Sequence, residues 1–263
     1  VPHRCHAFIK KVLSYRSLEQ DGADGLAGLA EVSENYPGIE VFLAEMGEET
    51  YGRYVSFAVA EISRPDDEMV RNFIGENGVF DSIFDFSYLD LDVMDGKWYK
   101  THAITAKESR DTMVNAQNQA QRIGGWYSTV LQNHDQTRLL NKYFDEADIS
   151  FESASMLATM NLTLRGVPFL YQGEEIGMTN RNWQSWDEID DVSTYGQYRM
   201  AITEGIDPET AFAMVTKRSR DNARTPMQWS GRKEAGFTTG RPWLPVNENF
   251  TAVNVEAQMK DPD

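Results

Sequence analysis

The 263-residue sequence predicts an α/β fold with parallel strand pairing. Two observations carry this. Short apolar runs alternate with helical stretches in the order helix, strand, four times over, and parallel strands need such helical crossovers. At least two of the runs also end in ionisable groups. Tyr127–Leu131 leads into Gln132-Asn133-His134-Asp135-Gln136-Thr137-Arg138, and the run two units earlier, Tyr54–Ala60, leads into Glu61. Parallel α/β sheets carry their chemistry at such carboxyl-terminal strand tips.

Each element has its own warrant. Pro37, followed by Val41, Phe42, Ala44, Glu45, Met46 and Tyr51, reads as a helix with proline in its first turn. Tyr54–Ala60 reads as a strand delivering Glu61. Pro65-Asp66-Asp67-Glu68 opens the next helix, its carboxylates favourable at the positive end of the helix dipole. Phe80–Phe86 is the second strand. Residues 105–122 form a polar, alanine-containing helix ahead of the strand Tyr127–Leu131. Residues 151–165 place Met156, Leu157, Met160 and Leu164 on one stripe, Gly166 ends that helix, and Val167–Tyr171 is the fourth strand. Helices at about 187–205 and 208–219 precede a tail rich in proline and glycine. Four such units make half of an eight-stranded (β/α)8 barrel or a small open sheet, and periodicity fits both.

Composition narrows the function classes. A formal net charge of -16 and a pI near 4.7 argue against a nucleic-acid partner and against an anionic membrane surface, both of which want a basic face. No apolar run is long enough to span a bilayer. Cys5 is the single cysteine, which excludes an intrachain disulfide and fits a reducing, cytoplasmic setting. The N-terminus lacks a signal-peptide pattern and an initiating methionine, and the C-terminus stops abruptly, so a piece of a longer protein is expected.

Glu61 and Asp135 are the candidate catalytic groups. A carboxylate at the end of an apolar strand costs free energy unless it is paired, hydrogen-bonded or protonated. Two in one pocket suit glycoside hydrolysis, one as a proton donor with a raised pKa and one ionised against an oxocarbenium-like transition state. A salt bridge of Glu61 to Arg64, or a helix cap, is the plain alternative. His134 beside Asp135 suits a hydrogen bond to a sugar hydroxyl. A metal ion is not expected, because His3, His6 and His102 have no ligand spacing to His134, and no cofactor is called for.

With these motifs the chain resembles the oligo-1,6-glucosidase group of the α-amylase superfamily of glycoside hydrolases. Asn133-His134-Asp135-Gln136 with Arg138 is similar to its Asn-His-Asp-Gln-Pro-Arg block, with Thr137 replacing proline. Gly166 to Asn180, Arg220-Asp221-Asn222-Ala223-Arg224-Thr225-Pro226-Met227-Gln228-Trp229, Ala235–Gly240 and Pro242–Asn247 continue the likeness, which runs from about residue 21 to the C-terminus.

The resemblance implies a partial (β/α)8 TIM barrel spanning roughly strands five to eight, with residues 1–263 as the second half of the catalytic domain. It implies Glu61 as proton donor on the fifth strand, where Ala60 replaces the usual glycine, and Asp135 as transition-state stabiliser on the seventh. His134 would bind the same sugar. Arg220 would grip the non-reducing end, an ordinary ion pair with Asp221 or Glu174 being the alternative. Phe84 or Phe86 would stack against sugar at the pocket mouth, with core packing as the alternative. The family's nucleophile, an aspartate in an Asp-Gly-Phe-Arg-Met-Asp-Val-like block on the fourth strand, has no counterpart. Asp21 and Asp24 sit in what reads as the loop after that strand. The inserted small domain and C-terminal β-sandwich are also missing from the sequence.

The implied activity of the intact parent is a retaining, exo-acting α-glucosidase on short isomalto- or malto-oligosaccharides, with the oligosaccharide as its one partner. The fragment alone is expected to be inactive and poorly soluble. Trehalose-6-phosphate hydrolysis and sucrose isomerisation are the enzymatic alternatives, and a non-catalytic barrel like the transporter heavy chains is the alternative outside enzymes. The segment Trp186-Asp187-Glu188-Ile189-Asp190-Asp191 is expected to be a solvated helix start rather than part of a pocket mouth.

Overall fold

In a computed structural model, residues 39–62 and 65–261 are described. Asp21, Asp24, Cys5 and Arg64 lie outside them, so the expectations attached to those residues do too. The described chain is α/β. Its main sheet has the order β1 (Val59–Ala60), β2 (Ser82–Phe84), β5 (Tyr127–Val130), β6 (Val167–Phe169), and a separate hairpin joins β3 (Val93–Met94) to β4 (Lys97–Thr101). β1 pairs with β2 in parallel, Ala60 opposite Ile83, and β2 pairs with β5 in parallel, Ile83 opposite Tyr127.

The described residues divide into two compact units, one built on 39–62, 65–87, 110–129 and 164–168, the other on 88–109, 130–163 and 169–261. In the first, α1 (Ile39–Glu49), α2 (Asp67–Ile74) and α3 (Ala106–Ile123) cover the strands. Their core joins Leu43, Val70, Phe73, Ile74, Ala116, Ala120 and Ile123 to Ile83 and Tyr127. α2 starts where Asp66 accepts a hydrogen bond from the Met69 amide at 2.8 Å, a carboxylate N-cap that satisfies an otherwise unpaired helix donor.

The first predicted strand is shorter than its sequence suggests. Only Val59–Ala60 pair, while Tyr54, Val55 and Phe57 are exposed. The reason is the partner. β2 begins at Ser82, and the amides of Asp81 and Ser82 both donate to the Ala58 carbonyl at 3.0 and 3.3 Å, so residues 54–57 meet no ladder among the described residues. A strand-like composition without a partner stays irregular.

The second unit holds the β3–β4 hairpin, which the alternation pattern does not reveal. Its turn is Asp95-Gly96, with φ of 55° and 69°, the left-handed pair that a tight hairpin favours. Tyr99 of β4 packs with Ala201 of α6 (Val192–Thr203) and with Ala211 and Val215 of α7 (Pro208–Lys217). Trp186 joins this cluster, its ring 4.8 Å from Tyr195, 4.6 Å from Tyr198 and 4.9 Å from Phe212. The same unit contains α4 (Leu139–Tyr143), α5 (Phe151–Thr163), α8 (Asp221–Arg224) and α9 (Val255–Gln258). Among the described residues no helix is long and apolar enough to cross a membrane.

Candidate active site

The predicted site residues fall into two groups, one on each unit. In the second unit the site begins just past β5. Buried Gln132 accepts the Leu139 amide at 2.7 Å, which folds the chain back into α4 and leaves 133–138 as a turn. Asn133 organises that turn, its side-chain oxygen taking the Asp135 amide at 2.8 Å and its carbonyl the Gln136 amide at 3.2 Å. Asp135 is thereby held at the tip as a half-buried carboxylate.

Two guanidiniums reach it. Arg224 Nη2 donates to Asp135 Oδ1 at 2.7 Å, and Arg220 Nη1 reaches the same oxygen at 3.4 Å. His134 Nε2 lies 3.7 Å from Oδ2. Arg220 caps α8 and Arg224 closes it, four residues on, so both side chains project from one face of a single turn. The structure brings together three of the predicted site residues, His134, Asp135 and Arg220. Arg224 was not singled out, although its spacing from Arg220 carried the signal.

Arg220 pairs with neither carboxylate of the alternative reading. Its Nε and Nη2 donate to Asp191 Oδ1 at 2.9 and 2.5 Å, not to Asp221 or Glu174. Asp221 is occupied elsewhere, its Oδ2 accepting the amides of Asp190 and Asp191 at 2.8 and 2.9 Å. The expectation of a solvated acidic helix start therefore fails at Asp191, which is 1% exposed. It caps α6 through the Ser193 amide at 3.0 Å and also takes the Thr194 hydroxyl at 2.9 Å. Burial alone would raise the Asp191 pKa, but hydrogen bonds from Arg220 and Thr194 and the Arg220 charge bring it below the usual carboxylate range. Burial opposes the charge on Arg220 in the same way, and Asp191 outweighs it and raises the Arg220 pKa. Such a desolvated, hydrogen-bonded pair fixes its members far more firmly than a surface ion pair does.

In the first unit, Glu61 directly follows β1 and is half-buried. Continuing the register of Ala60 opposite Ile83 puts Glu61 beside Phe84. Phe84, the last residue of β2, and Phe86, two residues further on, stack with centroids 5.7 Å apart and planes 3° from parallel. Both are half-buried. Between them Asp85 is buried, and burial pushes its pKa up although Ser87 donates to it through both hydroxyl and amide.

Arg138, Lys142 and Arg181, cations that a substrate phosphate would call on, are committed internally. Arg138 is buried and donates to the carbonyls of Asn222 and Gln172 at 3.0 and 2.8 Å. Lys142 donates to the Leu89 carbonyl, and Arg181 pairs with Glu188 at 3.0 Å and with Glu248. Among the described residues there is no group of three or more histidine, cysteine or carboxylate side chains arranged for a metal ion.

The family model for the α-amylase catalytic domain matches residues 10–263, reaching further toward the N-terminus than the motifs do. An oligo-1,6-glucosidase of Halalkalibacterium halodurans is 36% identical over 258 residues, which is 97% of this chain and 46% of that protein. The trehalose-6-phosphate hydrolase of Bacillus subtilis is 34% identical over 226 residues, 86% of this chain and 40% of that protein. Among solved structures, the trehalose-6-phosphate hydrolase of Bacillus licheniformis matches with a TM-score of 0.81 at 32% identity, covering 92% of this chain and 43% of that one. The trehalulose synthase of Pseudomonas mesoacidophila MX-45 matches with a TM-score of 0.77 at 33% identity, covering 87% and 41%. The chain thus spans less than half the length of these relatives. A family match over nearly the whole chain agrees with the parallel sheet and the motifs at its strand tips: the chain belongs to the α-amylase catalytic-domain family of glycoside hydrolases.

Proposed function

We propose that this chain is the second half of a catalytic (β/α)8 barrel, and that the intact protein is a retaining, exo-acting α-glucosidase acting on short α-glucosides such as isomalto- and malto-oligosaccharides. On this reading β1, β2, β5 and β6 serve as barrel strands five to eight, and their order in the sheet, which follows chain order once the hairpin is set aside, supports it. The observation that carries the reading is Asp135 at the tip of β5, its carboxylate gripped by Arg220 and Arg224 while Asp191 anchors Arg220.

Glu61 acts as general acid, passing a proton to the glycosidic oxygen as the leaving group departs. Asp135, held by two guanidiniums, binds the 2- and 3-hydroxyls of the glucosyl ring while positive charge develops on it. His134 hydrogen-bonds the same ring, Arg220 binds its non-reducing end, and Phe84 and Phe86 offer a flat apolar face to its C–H groups. The nucleophile belongs to a fourth-strand segment for which the described residues hold no counterpart. The single cysteine favours the cytoplasm as the place of this activity.

Trehalose-6-phosphate hydrolysis is the second reading, favoured by the structural likeness to an enzyme of that name. Against it stands the internal commitment of Arg138, Lys142 and Arg181, since a phosphate needs donors not already spent. The test is release of glucose by the product of the full reading frame from isomaltose, maltose and trehalose-6-phosphate. Glu61→Gln is expected to lower kcat on isomaltose by at least about a hundredfold, as loss of a general acid does. Undiminished turnover in that variant rejects Glu61 as the acid, and exclusive use of the phosphorylated substrate selects the second reading.

A further inference from the structure

We propose that Arg224 is the positioning residue of Asp135, fixing the carboxylate so that its Oδ2 is the oxygen presented to the sugar. The inference rests on the reading of Asp135 as transition-state stabiliser and deepens it.

A carboxylate on a turn has two side-chain torsions to order, and each ordered torsion has an entropic cost. Arg224 restricts both. Its Nη2 holds Asp135 Oδ1 at 2.7 Å while its Nε holds the carbonyl of His134 at 2.9 Å. One planar group therefore spans the side chain of one residue and the backbone of the residue before it, which ties the carboxylate to its own main chain. Only a guanidinium has the fixed fork to do this, because an ammonium offers a point charge.

Arg220 does not duplicate the role. Two of its nitrogens are taken by Asp191, and the third approaches Asp135 Oδ1 at only 3.4 Å. Both arginines thus converge on Oδ1, and neither bonds Oδ2. Facing Oδ2 is the His134 imidazole, 3.7 Å away, too far for a direct hydrogen bond. Oδ2 is accordingly the acceptor for ring hydroxyls, and its direction is set by the grip on Oδ1. Removing that grip leaves the carboxylate in place but unaimed, and small misplacements of a catalytic group carry large penalties.

The test is a double-mutant cycle in the product of the full reading frame, read by calorimetric titration with the glucose-shaped cationic iminosugar 1-deoxynojirimycin. Asp135→Asn and Arg224→Gln are each expected to weaken binding about ten- to a hundredfold, the range of a lost charge-assisted hydrogen bond. The double variant is expected to bind no more weakly than Asp135→Asn alone. Arg224→Lys is expected to recover only part of the loss, since lysine reaches the carboxylate or the carbonyl but not both. If Arg224→Gln does not fold, the same cycle is run with Arg224→Lys. Intact binding in Arg224→Gln, a loss that persists in full on the Asp135→Asn background, or complete rescue by lysine overturns the assignment of Arg224 and leaves that of Asp135 standing. No binding by the unmodified full-length protein, or equal binding by Asp135→Asn, overturns the reading of Asp135 and this inference with it.

Discussion

Glu174, just beyond β6, is half-buried and takes the Tyr171 amide at 2.9 Å. Burial pushes its pKa up to about 7, and the neighbouring Glu175 adds to this against the pull of the Tyr171 hydrogen bond and the Arg138 charge. A carboxyl raised above its unfolded value binds more protons in the folded state, so stability falls as pH rises through the window from about 4.5 to 7. The penalty is complete above that window and amounts to about 3 kcal/mol at most. Glu174→Gln keeps the acceptor for Tyr171 and removes the charge. It is expected to raise Tm at pH 8 and leave it nearly unchanged at pH 4.5, and equal shifts at both pH values would reject burial of the charge as the cause. Nothing in the sequence marks this group, because burial depends on tertiary neighbours. The same limit hid Asp191. An acidic run reads as solvated until Arg220, 29 residues later, is folded against it. The position of His134 and Asp135 just past a strand was legible because the local pattern reveals the strand Tyr127–Val130 that precedes them.

Local chemistry also explains which elements were legible. The start of α2 follows from Asp66 alone. Asp66→Ala removes its bond to Met69 and is expected to lower stability by about 1 kcal/mol, read as a drop in denaturation midpoint with an unchanged denaturant slope. No drop would mean that the helix end is satisfied by other donors or by solvent. Helices with such end signals, α2, α3 and α5 among them, sit close to where the sequence puts them. Strands are another matter. Tyr54–Ala60 and Val59–Ala60 differ by five residues because apolar composition reports the capacity to pair, while the partner decides where pairing stops. The hairpin of β3 and β4 went unread for a related reason. Its strands are short, Lys97-Trp98-Tyr99-Lys100-Thr101 has no clean alternation, and its stability comes from Tyr99 packing on α6 and α7.

At the scale of the whole molecule two terms oppose each other. A net charge of -16 keeps copies of the chain apart. Tyr54, Val55 and Phe57 offer an exposed apolar segment beside the short strand β1, a natural template for pairing with another strand. Repulsion between surface charges is screened by salt, over about 10 Å at 0.1 M and about 3 Å at 1 M, whereas the attraction of apolar surface is not. Self-association of the chain is therefore expected to increase as salt is raised, seen as growth of the larger species in sedimentation velocity. Val55→Ser with Phe57→Ser leaves the charge unchanged and removes the apolar side chains. Both positions are exposed, so Tm should move little, while the salt-dependent growth should largely disappear. Equal association of the double variant would move the adhesive surface elsewhere on the molecule. A decrease of association with salt would mean that complementary charges, rather than the 54–57 segment, bring the copies together.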